Sequence, residues 1–245
     1  RKLLEKAEKN GVQRFIYASS PSVAHTGNAL IGVGVHKAEP AHVRGSYSRT
    51  KALAEIDVLA AHSPDFSTMA LRPHLVWGPG DTQLIERIVA RARSGRLFLI
   101  DGGYSLIDTT YVTNAAQAFA CAIDAPASAF NRALMVTNGE PRTVREILGR
   151  IAYAAGAQAP SRSIPFHIAM AAGHAAESAW KIHKSEPPLT SFLVEQLATA
   201  HWFDLAETKS CLLYPSDAAD EPTRSDLTRY RTLRTTTIDH RTAQH

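Results

Sequence analysis

The chain has 245 residues, 44% hydrophobic and 20% charged, enough to bury one large core and ordinary for a folded globular protein. Its 27 Lys and Arg against 23 Asp and Glu leave +4, with no basic run of five or more, which argues against a nucleic-acid surface. Two cysteines, Cys121 and Cys211, without a CxxC spacing argue against a disulfide framework or a zinc site and fit a reducing cytoplasm. No HExxH occurs, so no metal is expected, and no apolar run of about eighteen residues predicts a membrane span.

Residues 1–10 (RKLLEKAEKN) are good helix formers with Leu3, Leu4 and Ala7 at helical spacing, and Gly11 is a stop signal. Arg14 to Ala18 is a short apolar run bounded by turn residues and predicts a buried parallel strand, ended by Ser19-Ser20-Pro21-Ser22. Residues 24–46, rich in Gly, His and Pro, predict a loop. Gly32-Val33-Gly34 within it follows no strand and lacks a third glycine, so it reads as flexible loop rather than a nucleotide-binding turn. Residues 47–62 predict an amphipathic helix, and Phe66 to Leu71 the next strand, stopped by Arg72-Pro73. Gly78-Pro79-Gly80-Asp81 predicts a tight turn, with Asp81 as N-cap of a helix over 82–94.

Leu97 to Ile100 predicts a brief strand, Asp101-Gly102-Gly103 a turn, Leu106 to Val112 an extended segment, and 113–124 a helix with Cys121 on its core face. Ala133 to Val136 is another strand, followed by a turn at Asn138-Gly139. Thr143 with Glu146 three later predicts a capping box for a helix to about Ala155. Residues 163–183 and 190–199 predict two more helices, and the His and Met residues of 167–174 suit a packed lid better than a ligand site. Trp202-Phe203-Asp204 closes this part. Helix and strand alternate up to residue 136, which predicts an α/β fold with a parallel sheet, and the helix-rich remainder predicts a smaller lobe covering a substrate.

The chemistry concentrates at Tyr47-Ser48-Arg49-Thr50-Lys51. Tyr47 and Lys51, four apart, share one face of a helix. A phenol ordinarily titrates near ~10, too high for a base at neutral pH, and a neighbouring ammonium favours the phenolate. Such a pair can take a proton from an alcohol or give one to a carbonyl. A hydroxyl at the C-terminal end of a strand suits the task of holding the substrate oxygen, and Ser20 is placed for it.

Ser19-Ser20-Pro21-Ser22-Val23, the Tyr47-xxx-Lys51 spacing and the run from Leu71 to Asp81 (LRPHLVWGPGD) together make the chain resemble an extended short-chain dehydrogenase/reductase. The resemblance is to the 3β-hydroxysteroid dehydrogenase-like branch of the NAD-dependent epimerase/dehydratase family. It extends to Asp108–Ala115 (DTTYVTNA) and His201-Trp202-Phe203-Asp204, and covers roughly residues 1 to 209. It implies part of a Rossmann-type doubly wound parallel sheet with a smaller helix-rich C-terminal lobe. Residues 1–136 would be the C-terminal part of a dinucleotide-binding domain, with a substrate-lobe insertion at about 78–104. Residues 137–209 would be the helical lobe.

By the same resemblance Tyr47 is the catalytic acid/base, Lys51 binds the nicotinamide ribose and lowers the pKa of Tyr47, and Ser20 binds the substrate oxygen. Backbone near Pro73 and Val76 lines the nicotinamide pocket. The implied activity is hydride transfer between NAD or NADP and a 3-hydroxy/3-oxo group of a lipid-like substrate, such as a sterol or a long-chain β-oxo acid. A nucleotide-sugar epimerase or dehydratase is the alternative enzyme, and a non-catalytic cofactor sensor on the same fold is the third reading, disfavoured because such proteins commonly lose the Tyr/Lys pair. Family members often form homodimers through the helices that correspond to 1–10 and 47–62.

Two departures from the family pattern set further expectations. The glycine-rich GxxGxxG turn and the residue that reads the adenosine ribose would precede Arg1, so the chain by itself is expected to bind NAD(P) poorly and to leave a sheet edge uncovered. Cys211 to Glu221 resembles, with one change, the translation of a transposon-end sequencing adapter, and the Thr/Arg-rich stretch to His245 has little apolar periodicity. Residues 210–245 are therefore expected to be a non-native or disordered tail.

Overall fold

A computed structural model of the chain describes residues 1–82, 84–180 and 189–212. The adapter-like segment beyond Leu212, the rest of the expected tail, and residues 181–183 of a predicted helix lie outside the described residues. In chain order the elements are α1 (Lys2–Lys9), β1 (Arg14–Ala18), β2 (Leu30–Val33), α2 (Gly45–Ala60), β3 (Ser67–Pro73), β4 (Val76–Trp77), α3 (Ile85–Arg93), β5 (Leu99–Ile100) and β6 (Leu106–Ile107). They continue with β7 (Thr110–Tyr111), α4 (Val112–Asp124), β8 (Arg132–Val136), β9 (Arg142–Thr143), α5 (Val144–Ala154), β10 (Ser163–Ile164), α6 (Phe166–Trp180), α7 (Ser191–Ala198), β11 (His201–Phe203) and α8 (Ala206–Leu212).

Two compact units divide the chain. The first holds Arg1–Val76, Asp108–Glu140 and the described residues from His201, and the second holds Trp77–Ile107 and Pro141–Ala200.

The first unit is built on a parallel sheet in the order β1-β3-β8. Ala18 of β1 sits beside Leu71 of β3, and Pro73 beside Val136 of β8. Because side chains alternate across a strand, each strand feeds two layers. Met69 and Leu71 of β3 and Leu134 and Val136 of β8 pack with Ala118 and Ala122 of α4 and Leu212 of α8, with Ile16 of β1 and Cys121 beside them. Phe15 and Tyr17 of β1 face the other way, onto Leu4 of α1 and Val58 of α2. Helices on both faces of a parallel sheet are the doubly wound arrangement.

One expectation fails in this unit. Residues 24–46 are not all loop: Leu30–Val33 is a strand, parallel to β11, with Leu30 beside His201 and Val33 beside Phe203. Gly32 belongs to that strand with φ +60, and a Cβ there would stand 2.7 Å from Cη2 of Trp202. The glycine therefore admits an indole over the backbone, which gives it a structural duty in place of flexibility. β11 likewise makes His201–Phe203 a strand where local sequence showed only an aromatic cluster.

In the second unit α3 starts at Ile85, three residues later than the predicted start. Its N-cap position is therefore Leu84 and not Asp81, although the Asp81 carboxylate still accepts the backbone N–H groups of Leu84 at 2.9 Å and Ile85 at 3.0 Å. Residues 163–164 form β10, parallel to β5, and the predicted helix from 163 begins only at Phe166, after Pro165. Thr143 caps α5 through the Glu146 N–H at 3.2 Å, but the Glu146 carboxylate pairs with Arg142 and Arg150, so only half of the capping box forms. Ile100, Ala169 and Val194 form the core between β5, α6 and α7.

Candidate active site

The predicted site residues all fall in the first unit, at the edge where β1, β3 and β8 end. In a parallel doubly wound sheet this is the edge where ligands bind. Ala18 closes β1, and the next two residues divide the work. Ser19 is buried: its N–H donates to the Leu71 carbonyl at 2.7 Å and its hydroxyl to a Glu55 oxygen at 2.5 Å. Ser20 is half-buried and heads a single turn of 3-10 helix over Pro21–Ala24. Its Oγ accepts the Ser22 N–H at 3.3 Å and the Ser22 hydroxyl at 3.0 Å. With both of those contacts received as acceptor, the Ser20 O–H proton is left to donate elsewhere.

Tyr47 and Lys51 lie in the first turns of α2, as their spacing predicts. Tyr47 is 58% exposed, and its hydroxyl makes no hydrogen bond among the described residues. Lys51 Nζ donates to the Ala18 carbonyl at 2.7 Å and stands 5.1 Å from the centre of the Tyr17 ring. That bond ties the Tyr47 face of α2 to the end of β1, two residues before Ser20. It uses one of three ammonium donors and leaves two, a fit to the paired hydroxyls of a ribose. The Tyr17 phenol is pushed up, first by burial and then by the Glu55 charge and by Tyr47, so it stays protonated as a neutral wall. No hydrogen bond joins the Tyr47 and Ser20 hydroxyls among the described residues.

Pro73 ends β3 and is half-buried; Val76 is half-exposed. Between them Leu75 adopts φ +44, a left-handed conformation that costs a residue with a Cβ on the order of 1 kcal/mol. Thr110 holds this turn: its hydroxyl lies 2.7 Å from the His74 carbonyl and 2.9 Å from that of Val136, and the Thr110 N–H donates to the Leu75 carbonyl at 3.3 Å. The strained turn thus presents backbone at the same sheet edge as Ser20.

Sequence reasoning missed two clusters beneath this edge. The first is the buried ion pair of Glu55 and Arg72, two hydrogen bonds at 2.6 and 2.9 Å. Its signals were present: Glu55 extends the Tyr47–Lys51 row by one more turn, and Arg72 is a charge in an apolar parallel strand. The second is His74, edge-on to His201 at 4.8 Å and to Phe203 at 5.3 Å, over the buried Asp108. Burial first, then the neighbouring His201, hold the His74 pKa well below the ordinary imidazole value, so the ring is neutral.

Residues 1–165 match the model of the 3-beta hydroxysteroid dehydrogenase/isomerase family. The chain belongs to this family. A 2-alkyl-3-oxoalkanoate reductase of Stenotrophomonas maltophilia (strain K279a) is 40% identical over 203 residues, covering 80% of this chain and 62% of the relative. The Arabidopsis thaliana 3beta-hydroxysteroid-dehydrogenase/decarboxylase isoform 2 is 35% identical over 218 residues, covering 83% of this chain and 39% of the relative. The chain thus spans less than two thirds of the length of these relatives. Among solved structures, the epimerase Mth375 of Methanothermobacter thermautotrophicus superposes with a TM-score of 0.69 at 19% identity, over 98% of this chain and 65% of the other. A UDP-glucuronic acid 4-epimerase from Bacillus cereus, in complex with NAD, gives 0.63 at 15% identity, over 93% and 63%. These similarities place this member of the 3-beta hydroxysteroid dehydrogenase/isomerase family on the fold of the NAD-dependent epimerases and dehydrogenases. Among its described residues no helix is long and apolar enough to cross a membrane.

Proposed function

We propose that the protein is an NAD(P)-dependent oxidoreductase acting on the 3-hydroxy/3-oxo group of a lipid-like substrate. The observation that carries this reading is an exposed phenol, Tyr47, one turn before Lys51 on α2, whose ammonium is anchored on the strand end that leads into Ser20. The names of the relatives support the substrate class: 2-alkyl-3-oxoalkanoates for the reductases, and 3β-hydroxysteroids and sterol 4α-carboxylates for the dehydrogenases.

Tyr47 serves as the acid/base, donating its proton to the oxygen of a 3-oxo group in reduction or taking one from a 3-hydroxyl in oxidation. Ser20 donates its O–H to the same oxygen, which places a dipole where charge develops. Lys51 holds the ribose with its two remaining donors. Backbone of Pro73 and Val76 walls the nicotinamide side. The nicotinamide, when bound, supplies or accepts the hydride.

Tyr47→Phe, made in a protein that also carries the glycine-rich cofactor turn, is the test. The variant is expected to lower kcat for a 2-alkyl-3-oxo acid by about 100-fold or more while cofactor affinity stays within about threefold. Unchanged turnover would overturn the assignment. Stoichiometric consumption of NAD(P)H separates this chemistry from epimerisation, in which the cofactor is regenerated.

A further inference from the structure

We infer that Glu55 is a positioning residue for the active site, acting through Ser19 and Arg72. This inference rests on the roles proposed for Tyr47, Lys51 and Ser20. Glu55 lies two turns beyond Tyr47 and one beyond Lys51 on the same face of α2, and it is 1% exposed. One of its oxygens accepts the Ser19 hydroxyl at 2.5 Å and Arg72 Nε at 2.9 Å; the other accepts Arg72 Nη2 at 2.6 Å. Arg72 Nη1 donates in turn to the His36 carbonyl at 2.8 Å.

A single carboxylate therefore joins the helix of Tyr47 and Lys51, the strand end before Ser20, the strand end before Pro73, and the segment that leads from β2 to α2. Lys51 on the Ala18 carbonyl is a second anchor one turn away. Two anchors on one helix face fix both its slide and its roll against β1, which one anchor cannot do. The pair is a poor device for stability alone. Two charges taken from water carry a large desolvation cost, and well-packed apolar residues commonly serve as well or better. What apolar packing does not supply is directional, three-way geometry at a fixed distance.

Two variants separate positioning from stability. Glu55→Gln combined with Arg72→Gln removes both charges and leaves none buried and unpaired. Ser19→Ala keeps the ion pair and cuts only its link to the Ser20 turn. Both are made in a protein that also carries the glycine-rich cofactor turn, and are read by amide hydrogen exchange of residues 18–24 against β3, by thermal midpoint, and by kcat and KM with NADPH, NADH and a 2-alkyl-3-oxo acid. The expected result in both is exchange at 18–24 about tenfold faster with β3 within about twofold, and kcat lower by about tenfold with the cofactor KM within about threefold. Exchange at 18–24 and kcat that stay at wild-type values in Ser19→Ala would overturn the inference. So would a double variant in which β3 and 18–24 loosen together, since the pair would then be only a stability element. If Tyr47→Phe turns over like wild type, the proposed reaction falls, while the exchange comparison still decides whether Glu55 sets the Ser20 turn.

Discussion

Asp108 shows how much a single residue can weigh. Burial pushes its carboxyl up to about 6, opposed by the Phe203 N–H and the Thr137 side chain, with the charge of Glu140 adding to the rise. The unfolded chain releases that proton near 3.8. Between these values the folded state binds more protons than the unfolded one. The contribution is thus full below about pH 4 and is lost as pH rises through about 6, on the order of 3 kcal/mol. His74 works in the opposite sense: its depressed pKa gives stability that is full above 6.5 and is lost as pH falls through the folded value. Asp108→Asn isolates the first effect. Relative to wild type, its urea midpoint is expected to rise from pH 4 to about pH 6 and then to level off; a difference independent of pH would show that Asp108 does not titrate in that window. The catalytic candidates Tyr47 and Lys51 were legible because their relation is four residues long. Glu55 and Arg72, 17 apart and on different elements, were not: nothing in a helix stripe says which strand residue will meet it.

The elements divide in the same way. α2 and β3 follow from period and from the stop at Pro73, because helix and strand periodicity are local. β2 does not: among the described residues Leu30–Val33 pairs with β11, far along the chain, and its Gly32 reads as loop until Trp202 is placed over it. Gly32→Ala tests that account. A side chain at φ +60 with an indole 2.7 Å from its Cβ is expected to cost about 1–3 kcal/mol in chemical denaturation. An unchanged midpoint would show that the indole yields freely. α3 marks the limit of capping rules, since the Asp81 carboxylate reaches the N–H groups of Leu84 and Ile85 from outside the N-cap position and the helix begins later than Asp81 suggests.

For the whole molecule, the sheet claims one stripe from each of α1 and α2 and leaves another. Leu4 and Val58 are buried against Phe66, whereas Leu3, Leu53 and Ile56 remain exposed. Arg1 pairs with Asp57 at 3.0 Å and links the two helices at the surface. We propose that a second copy covers Leu3, Leu53 and Ile56, forming the homodimer that the resemblance implies. Light scattering is expected to give twice the chain mass, and Leu53→Glu with Ile56→Glu to give the single mass at the same concentration. A monomer before substitution would remove this surface from consideration as a dimer interface.

The family, the parallel α/β plan and the shared helix face of Tyr47 and Lys51 were already legible in the sequence, because they rest on short motifs, on a four-residue spacing and on the alternation of helix and strand. Only the tertiary structure decided that Leu30–Val33 and His201–Phe203 pair, that Glu55 binds Ser19 and Arg72, and that Leu75 is strained over Thr110. These depend on partners brought together by burial from distant parts of the chain. Which partner a buried charge or a free strand edge finds is set by the global packing that excludes water, not by the residues on either side of it.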